Sequence, residues 1–218
     1  MSINPINVFL INRNLLTTTK NTLDFLRKEK RVKVYILDQQ STYVPLLDYY
    51  KTIKEQIFYN KNEGPYSAWD VKYRNLRRNN FIVADSDCLY DKVPSNWLDI
   101  MINTLEESNV SKVGFSLEIE NLPDSQIGKD AYIHESKYWM NKNKYGWDAH
   151  VDTTFAMYKP YCPFTYDAIR LDKPYCIEHS PWYITEDNIS EEWIYYLKNA
   201  SSISTWGFKL KNHIKSLK

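Results

Sequence analysis

The sequence predicts an α/β domain in which helices cover both faces of a mostly parallel central sheet. Short apolar runs alternate with helical segments four times within about 85 residues, and one more helix and strand continue the alternation to residue 117. Strands separated by helices in this way join a parallel sheet through right-handed crossovers. No linker, repeat or low-complexity stretch divides the 218 residues. We therefore expect a single domain over residues 1–218.

Five buried strands and five helices are predicted from local patterns. The strands lie at residues 7–11, 32–37, 56–59, 81–84 and 112–117. The helices lie at residues 17–28, 41–50, 67–78 and 96–107, and a last helix begins after residue 190. Thr17 to Thr19 offer N-caps for the first helix, and Ser190 caps the last, with Glu191 and Glu192 near its positive end. Residues 118–180 break the alternation, so we expect an irregular region that completes a cleft.

Composition limits the classes of function. The 28 basic residues nearly cancel the 27 acidic ones, so there is no overall positive field to hold nucleic acid. Three scattered cysteines are too few for a disulfide framework or a zinc site and favour a reduced compartment. Residues 1–14 lack a basic leader, and no stretch approaches the roughly 20 apolar residues of a membrane helix. We expect a soluble, cytoplasmic protein that neither binds nucleic acid nor spans a membrane; its oligomeric state stays open.

Glycine-based phosphate loops are missing from the sequence. The chain has five glycines and contains neither G-x-G-x-x-G nor G-x-x-x-x-G-K-[ST]. A Rossmann dinucleotide site and a P-loop are therefore unsupported. Any phosphate bound by this chain must be held by other groups.

Polar residues follow the first four predicted strands. They are Asn12 and Arg13, Asp38, residues 60–65, and Asp85 to Asp87. Because ligands bind beyond the carboxyl ends of parallel strands, these positions predict a site at one edge of the sheet. Taken singly, each also fits ordinary turn chemistry, which favours Asp and Asn.

The most specific of these patterns is a pair of carboxylates, Asp85 and Asp87, directly after the apolar run at residues 81–84. Two carboxylates spaced i, i+2 at a strand exit can meet one hard divalent cation, directly or through water. Mg²⁺ or Mn²⁺ prefers such oxygen ligands, completed by water and substrate phosphate. The pattern therefore predicts a metal that holds a diphosphate and acts as a Lewis acid.

These motifs resemble those of GT-A nucleotide-sugar glycosyltransferases, near the large inverting family 2 and the small enzymes that build bacterial and large-virus surface glycans. The resemblance spans almost the whole chain. It is carried by residues 11–14, 36–42, 62–65, 85–87, 151–156 and 177–183. Gln39 and Gln40 depart from the commoner residues after the second-strand aspartate. The resemblance implies a Rossmann-like GT-A domain, with a nucleotide-sugar-binding half at residues 1–117 and an acceptor-side half at 118–218.

The resemblance also implies roles for individual residues. Those implied to bind the nucleotide sugar are Asn12, Arg13, Asp38, Asn62, Gly64, Pro65, Asp85 and Ser86. Asp87 is implied as a direct metal ligand, Asp85 as a ligand of the ribose or the metal, and His179 as a ligand of the metal or the diphosphate. Taken alone, a single histidine is also typical of a structural role; if His179 binds metal, its imidazole favours Mn²⁺ over Mg²⁺. The expected reaction moves a sugar from a UDP-sugar to a glycan or other hydroxyl acceptor with inversion. The residues do not distinguish UDP from dTDP or GDP.

An inverting transfer needs a carboxylate that takes the proton of the acceptor hydroxyl. The resemblance points to Asp152, which lies between the D-x-D pair and His179 in the sequence. Asp152 has an alternative interpretation as a turn cap for Thr153 and Thr154. Other candidate bases are Glu118, Glu120, Asp124 and Glu135, and candidates for stacking on the acceptor sugar are Trp139, Trp147 and Trp182.

Two other functions fit parts of the sequence. A haloacid-dehalogenase-type phosphatase also has D-x-D after an apolar strand. In that family, however, the motif ends the first strand and a later G-D pair follows, whereas this chain has no G-D pair. A non-catalytic nucleotide-sugar or glycan-binding module would keep the same binding residues and is not distinguished by sequence.

Overall fold

Backbone pairing organises the chain around one sheet. The computed structural model describes residues 5–200 and 205–214, and in these residues ten strands are present. They are β1 Ile6–Asn12, β2 Val32–Gln39, β3 Gln56–Asn60, β4 Phe81–Asp85, β5 Cys88–Leu89, β6 Lys112–Leu117, β7 Lys142–Asn143, β8 Gly146–Asp148, β9 Phe155–Tyr158 and β10 Ile169–His179. The helices are α1 Thr17–Arg27, α2 Val44–Tyr50, α3 Trp97–Glu107, α4 Gln126–Glu135, α5 Glu191–Lys198 and α6 Thr205–His213. None of these helices is long and apolar enough to cross a bilayer.

The strand order is β3-β2-β1-β4-β9-β6-β10-β8-β7, with β5 paired to β10. The pairs β3–β2, β2–β1 and β1–β4 are parallel, and so is the pair β6–β10. β9 is antiparallel to both β4 and β6 and lies between them. The predicted mostly parallel α/β fold class is confirmed, and all five predicted strands are present.

The sheet is buried on both faces, as its continuous apolar strands predict. Alternate residues of β1 enter different core clusters, Val8 and Leu10 on one face and Phe9 and Ile11 on the other. On the first face the core includes Leu23 and Leu26 of α1 and Met101 and Leu105 of α3. On the second it includes Ala68 and Tyr73, which precede β4.

The segment predicted as a helix at residues 67–78 is different in the structure. It consists of two 3₁₀ segments, Gly64–Trp69 and Val71–Arg77, separated by Asp70 in an extended conformation (φ −51°, ψ 141°). The Asp70 carboxylate accepts a hydrogen bond from the Lys72 N–H (3.0 Å) and so begins the second segment separately. Gly64 starts the first segment at φ +73°, a conformation that favours glycine.

The prediction of an irregular region at residues 118–180 was wrong in large part. This region supplies α4 and four strands of the sheet, including β9 near its centre and the long β10. Its strands escape recognition for physical reasons. β9 has four residues, and β10 has an irregular register between Leu171 and Cys176, where Pro174 cannot donate to a ladder.

The N-terminus of α1 is capped by a residue distant in sequence. Thr17 to Thr19 lie inside α1 and no side chain caps it from the preceding residue, so their predicted capping role was wrong. Instead the buried Glu192 carboxylate accepts hydrogen bonds from the N–H groups of Leu16 (2.9 Å) and Thr17 (3.1 Å) and from Thr17 Oγ1 (2.8 Å). Ser190 caps α5 as predicted, through the Trp193 N–H (3.3 Å), but α6 follows, so α5 is not the last helix.

Removing the Glu192 carboxylate should destabilise the fold, because it leaves helix N–H groups unpaired and takes a negative charge from the positive end of α1. We expect Glu192→Ala to lower the free energy of unfolding by about 1–2 kcal/mol. Urea denaturation monitored by circular dichroism measures the change. Glu191→Ala is the matched control, since Glu191 is exposed and should change stability by less than about 0.5 kcal/mol. Equal losses for the two variants would contradict the capping of α1 by Glu192.

Candidate active site

The candidate site is a cavity of about 520 Å³ at the carboxyl ends of the parallel strands. β1, β4 and β10 end at this edge. Because β9 runs the other way, its first residues lie at the same edge, with Phe155 paired to Ala84. The Asp85 N–H donates to the Thr154 carbonyl (3.1 Å). This hydrogen bond holds residues 152–154 against the D-x-D segment at residues 85–87, although the two segments are far apart in the sequence.

The D-x-D segment is fixed by its backbone and by its middle residue. The Ser86 N–H donates to the Ile11 carbonyl (3.0 Å), and Ser86 Oγ donates to Asn12 Oδ1 (2.7 Å). The Asp87 carbonyl accepts from the Ser180 N–H (2.8 Å). The carboxylates of Asp85 and Asp87 remain half-buried in the cavity wall. The backbone contacts therefore hold two acidic groups in place without neutralising them.

Three carboxylates crowd one end of the cavity. Burial, then the charges of Asp87 and Asp152, raise the pKa of Asp85 well above its usual range. The hydroxyl of Thr153 donates to Asp85 Oδ2 (2.8 Å) and acts in the opposite direction. A carboxylate cluster of this kind is electrostatically unfavourable unless a proton or a cation joins it.

His179, at the end of β10, lies beside this cluster. It is 5% exposed, and its Nε2 is 3.3 Å from Asp87 Oδ2. Burial acts to lower the pKa of His179, but the negative charges of Asp87, Asp152 and Asp85 outweigh it and the pKa is raised. The ring packs edge-on against Trp182, and Nδ1 is buried with no hydrogen-bond partner among the described residues.

These residues fit a divalent cation at an open site. Within residues 5–200 and 205–214, no three His, Cys, Asp or Glu side chains enclose a metal position by themselves. Mg²⁺ and similar ions, however, commonly take only one or two carboxylates and fill the remaining positions with water and substrate phosphate. Ligand atoms about 2.1 Å from such an ion and at right angles lie about 3 Å apart. The 3.3 Å between His179 and Asp87 is close to that spacing.

Asp152 is exposed within the cavity, beside the other two carboxylates. Its Oδ1 accepts hydrogen bonds from the Thr154 N–H (3.0 Å) and hydroxyl (2.9 Å). Desolvation by the surrounding cavity wall acts to raise the pKa of Asp152, but these two hydrogen bonds and the charges of Arg170 and His179 lower it overall. Asp152 is therefore both a turn cap for Thr154 and an ionised carboxylate that faces the cavity.

The other candidate bases lie in different surroundings. Glu118, Glu120 and Asp124 are absent from the cavity lining. Glu135 does line the cavity, but its side chain is buried in an ion pair with Arg170. Burial raises the pKa of Glu135 to about 7 despite that partner.

A buried lysine anchors the segment that carries Asp152. Lys112 in β6 is 0% exposed, and its Nζ donates to the carbonyls of Val151 (2.6 Å), Asp152 (2.9 Å) and Thr165 (2.9 Å). Burial lowers the pKa of Lys112 to about 7. Nothing in the sequence marks this lysine, because it looks like the first residue of an ordinary strand.

The predicted nucleotide-sugar residues divide into two groups. Those that line the cavity are Asn12, Arg13, Asn62, Gly64, Pro65, Asp85 and Ser86. Asp38 is not among the lining residues; it is buried, and its Oδ1 accepts from the Ser41 N–H (2.9 Å). Asn12 uses its amide for protein contacts, since Nδ2 donates to the Leu15 carbonyl and the Tyr50 hydroxyl while Oδ1 accepts from Ser86.

Sequence reasoning missed Asn14, which joins the first two loops of this edge. It has φ +58°, and its Oδ1 accepts from the N–H groups of Thr42 (2.7 Å) and Tyr43 (3.0 Å). Asn tolerates this left-handed conformation better than most residues. Its position in the strand-exit run at residues 11–14 was the available signal.

Two of the three tryptophans predicted to stack on an acceptor lie elsewhere. Trp139 and Trp147 pack against each other (ring centroids 5.4 Å apart) and are absent from the cavity lining. Trp182 lines the cavity but is only 1% exposed. The more accessible aromatic rings of the cavity belong to tyrosines, to Phe164, to His134 and His150, and to Trp206, none of which a sequence motif marked.

Comparison with known proteins assigns neither a family nor an activity to this chain. No protein-family model and no curated protein sequence matches the chain. Among solved structures, 4-diphosphocytidyl-2C-methyl-D-erythritol synthase from Anaerococcus prevotii DSM 20548 is similar at 9% identity and a TM-score of 0.43, over 87% of this chain and 94% of that one. A second structure of a 4-diphosphocytidyl-2C-methyl-D-erythritol synthase is similar at 10% identity and a TM-score of 0.41, over 96% and 86% of the two chains. Likeness at this level assigns no activity.

Replacing Lys112 should destabilise the loop that carries Asp152, because three carbonyl groups lose their donor in a buried place. We expect Lys112→Met to lower the free energy of unfolding by about 2–4 kcal/mol. Chemical denaturation at pH 7 measures it. Lys33→Met, at an exposed strand position, is the matched control and should change little.

The lowered pKa of Lys112 adds a test by pH. In the unfolded chain the pKa is about 10.4, so between pH 7 and pH 10 the unfolded state binds more protons at this residue. The stability of the wild type relative to Lys112→Met should therefore increase as pH rises through this range. A constant difference would show that burial does not perturb this amine.

Proposed function

We propose that this chain is a metal-dependent glycosyltransferase that moves a sugar from a nucleotide diphosphate sugar to a hydroxyl acceptor. The observation that carries the proposal is the meeting of Asp85, Asp87, His179 and Asp152 at one end of a single cavity. Residues of the strand-exit loops line the same cavity, among them Arg13, Asn62 and Gly64. An acidic cluster and these loops together suit a ligand that carries both a cation and a diphosphate.

The donor's diphosphate would be held at the D-x-D end. Asp87 and His179 would hold Mn²⁺ or Mg²⁺, with Asp85 beside them and water and donor phosphate as the remaining ligands. The ion would supply Lewis-acid stabilisation of the charge that develops on the leaving diphosphate. Arg13 lies in the same cavity wall, and its Nε is buried without a hydrogen-bond partner among the described residues. A guanidinium with an unpaired donor favours an anionic ligand.

The nucleoside would lie toward the 3₁₀ segment that begins at Gly64. Asn62, Gly64 and Pro65 line the cavity there, and Gln39 lies beside them, with its Oε1 accepting from the Glu63 N–H (3.0 Å). The buried Ser67 hydroxyl accepts from Gln39 Nε2 (3.0 Å) and fixes the amide. We propose a uridine nucleotide as the first donor to test.

Asp152 would act as the general base. It is ionised, exposed to the cavity and held by Thr154, while Lys112 holds its backbone. A carboxylate with these properties can accept the proton of an acceptor hydroxyl as the sugar transfers, with inversion at the anomeric carbon. The hydrogen bonds from Thr154 keep one carboxylate oxygen occupied, which leaves the other for the acceptor.

Donor turnover tests the proposal directly. Purified protein is incubated with Mn²⁺ and a panel of UDP-, dTDP- and GDP-sugars, and released nucleotide diphosphate is measured. Slow hydrolysis of one donor is expected. Tight binding without turnover would favour the non-catalytic module, and hydrolysis of p-nitrophenyl phosphate would favour the phosphatase.

Asp87→Ala should abolish the Mn²⁺-dependent part of UDP binding and leave the fold intact, because it removes a carboxylate ligand. Calorimetric titration with UDP, with and without Mn²⁺, measures the effect. The matched control is Asp91→Ala, an exposed acid four residues further along the chain. If Asp87→Ala binds UDP and Mn²⁺ like the wild type, the metal assignment is wrong.

Asp152→Asn should keep donor affinity and lower the rate of sugar transfer by about 10²–10⁴-fold, because the amide cannot accept the acceptor proton. Steady-state transfer kinetics measure the loss once the donor is known. Asp148→Asn, an exposed change in the preceding strand, should transfer at the wild-type rate. Near-normal transfer by Asp152→Asn would move the base to Glu135, the other candidate carboxylate in the cavity lining.

A further inference from the structure

A continuous row of five aromatic side chains runs along the cavity wall. We call Tyr66, Phe164, Tyr166, His150 and Tyr138 the aromatic row; all five line the cavity. Successive ring centroids are 4.6, 4.9, 5.8 and 6.2 Å apart in that order. The five residues come from four separate segments of the chain, so no sequence motif records the row.

The aromatic row differs from core packing because its rings are accessible. Tyr66 and Tyr166 are 47% and 48% exposed, and His150 is exposed as well. Phe164 and Tyr138 are half-buried. By contrast Phe81 and Tyr158, which stack on each other in the core, are both 0% exposed. Accessible rings inside a concave site offer apolar surface to a ligand.

The aromatic row lies beside the proposed base. His150 precedes Asp152 by two residues, and the Val151 N–H donates to the Tyr166 carbonyl (3.0 Å). The Lys112 ammonium binds the carbonyls of both Asp152 and Thr165. The base and the row are therefore parts of one rigid wall, on the acceptor side of the cavity.

The chemistry of the row suits a sugar. The C–H faces of a pyranose pack on the negative face of an aromatic ring, while its hydroxyls need polar partners at the edge. Such partners are present, since the Tyr66 and Tyr166 hydroxyls lie along the row, 3.1 Å apart. The nearby carboxylates Asp85, Asp87 and Asp152 would repel an anionic sugar.

We propose that the aromatic row is an acceptor subsite that binds an uncharged oligosaccharide of at least two sugar residues. One sugar ring can cover one or two of the five aromatic rings, so a longer glycan is needed to use the whole row. The proposal rests on the proposed function for its orientation, with the reacting hydroxyl toward Asp152. It concerns binding, so it can be tested without any transfer.

The test is binding of neutral oligosaccharides to the full chain. Maltotriose, cellotriose and tri-N-acetylchitotriose are titrated by calorimetry and by saturation-transfer NMR, with glucose and N-acetylglucosamine for comparison. We expect at least one trisaccharide to bind more tightly than its monosaccharide. Tyr166→Ala and Tyr138→Ala should each weaken that binding about fivefold or more.

Control variants separate stacking from folding. Tyr132→Ala removes an exposed tyrosine of α4 outside the row and should bind like the wild type. Tyr66→Phe keeps the ring and loses only the hydroxyl, so it should retain most of the affinity. Tyr166→Leu and Tyr138→Leu keep apolar volume without an aromatic face, and they replace the alanine variants if those do not fold.

Three results would overturn the proposal. The first is wild-type affinity for the trisaccharide in the Tyr166 and Tyr138 variants. The second is a loss of UDP affinity in these variants while their trisaccharide affinity is retained. The third is that the wild type binds no trisaccharide at millimolar concentration. Hydrolysis of nucleotide sugars is measured on the same preparations. Glycan binding without hydrolysis removes the proposed function and leaves the subsite, whereas hydrolysis without glycan binding removes only the subsite.

Discussion

The antiparallel insertion of β9 between β4 and β6 is the constraint on which the site depends. A strand buried between two neighbours must pair its backbone on both sides, and β9 does so against β4 and β6. Its reversed direction places Asp152 to Thr154 at the carboxyl ends of the parallel strands. Gly114 of β6 permits the close approach, since a Cβ there would lie 2.7 Å from Val151 Cγ1 and 2.8 Å from the Phe155 carbonyl.

The charges of the site follow from this arrangement. Asp85, Asp87 and Asp152 meet at one end of the cavity, and the pKa of Asp85 is raised by burial and by the other two carboxylates. Two buried cations near the site are used elsewhere, Lys112 on backbone carbonyls and Arg170 on Glu135 and the His150 carbonyl. The protein thus holds a fixed acidic cluster and leaves its neutralisation to a ligand. The proposed metal-dependent transfer would use this preorganised acidic cluster.

Prediction from sequence worked best where the local pattern of apolar and polar residues matches the burial of those residues in the folded protein. The apolar runs of β1 to β4 and β6 are buried strands, and the polar residues after β1 and β4 line the cavity. It worked less well where distant contacts decide the outcome. Asp38 belongs to the predicted edge, yet its carboxylate turns to the Ser41 N–H, and Glu192 caps a helix 175 residues away in sequence. The segment at residues 64–77 is 3₁₀ rather than α-helical because Asp70 interrupts it.

The sequence by itself determined the α/β class, the order of the first strands and helices, and the D-x-D pair at the end of β4. These follow from short-range burial patterns and from the rule that parallel strands share one ligand-binding edge. Only the tertiary structure decided which later residues join that edge, because β9 and the bulged β10 take their places by pairing with strands distant in sequence. The aromatic row was decided in the same way. Its members come from four segments, and their nearness depends on how the sheet brings these segments together rather than on any spacing along the chain.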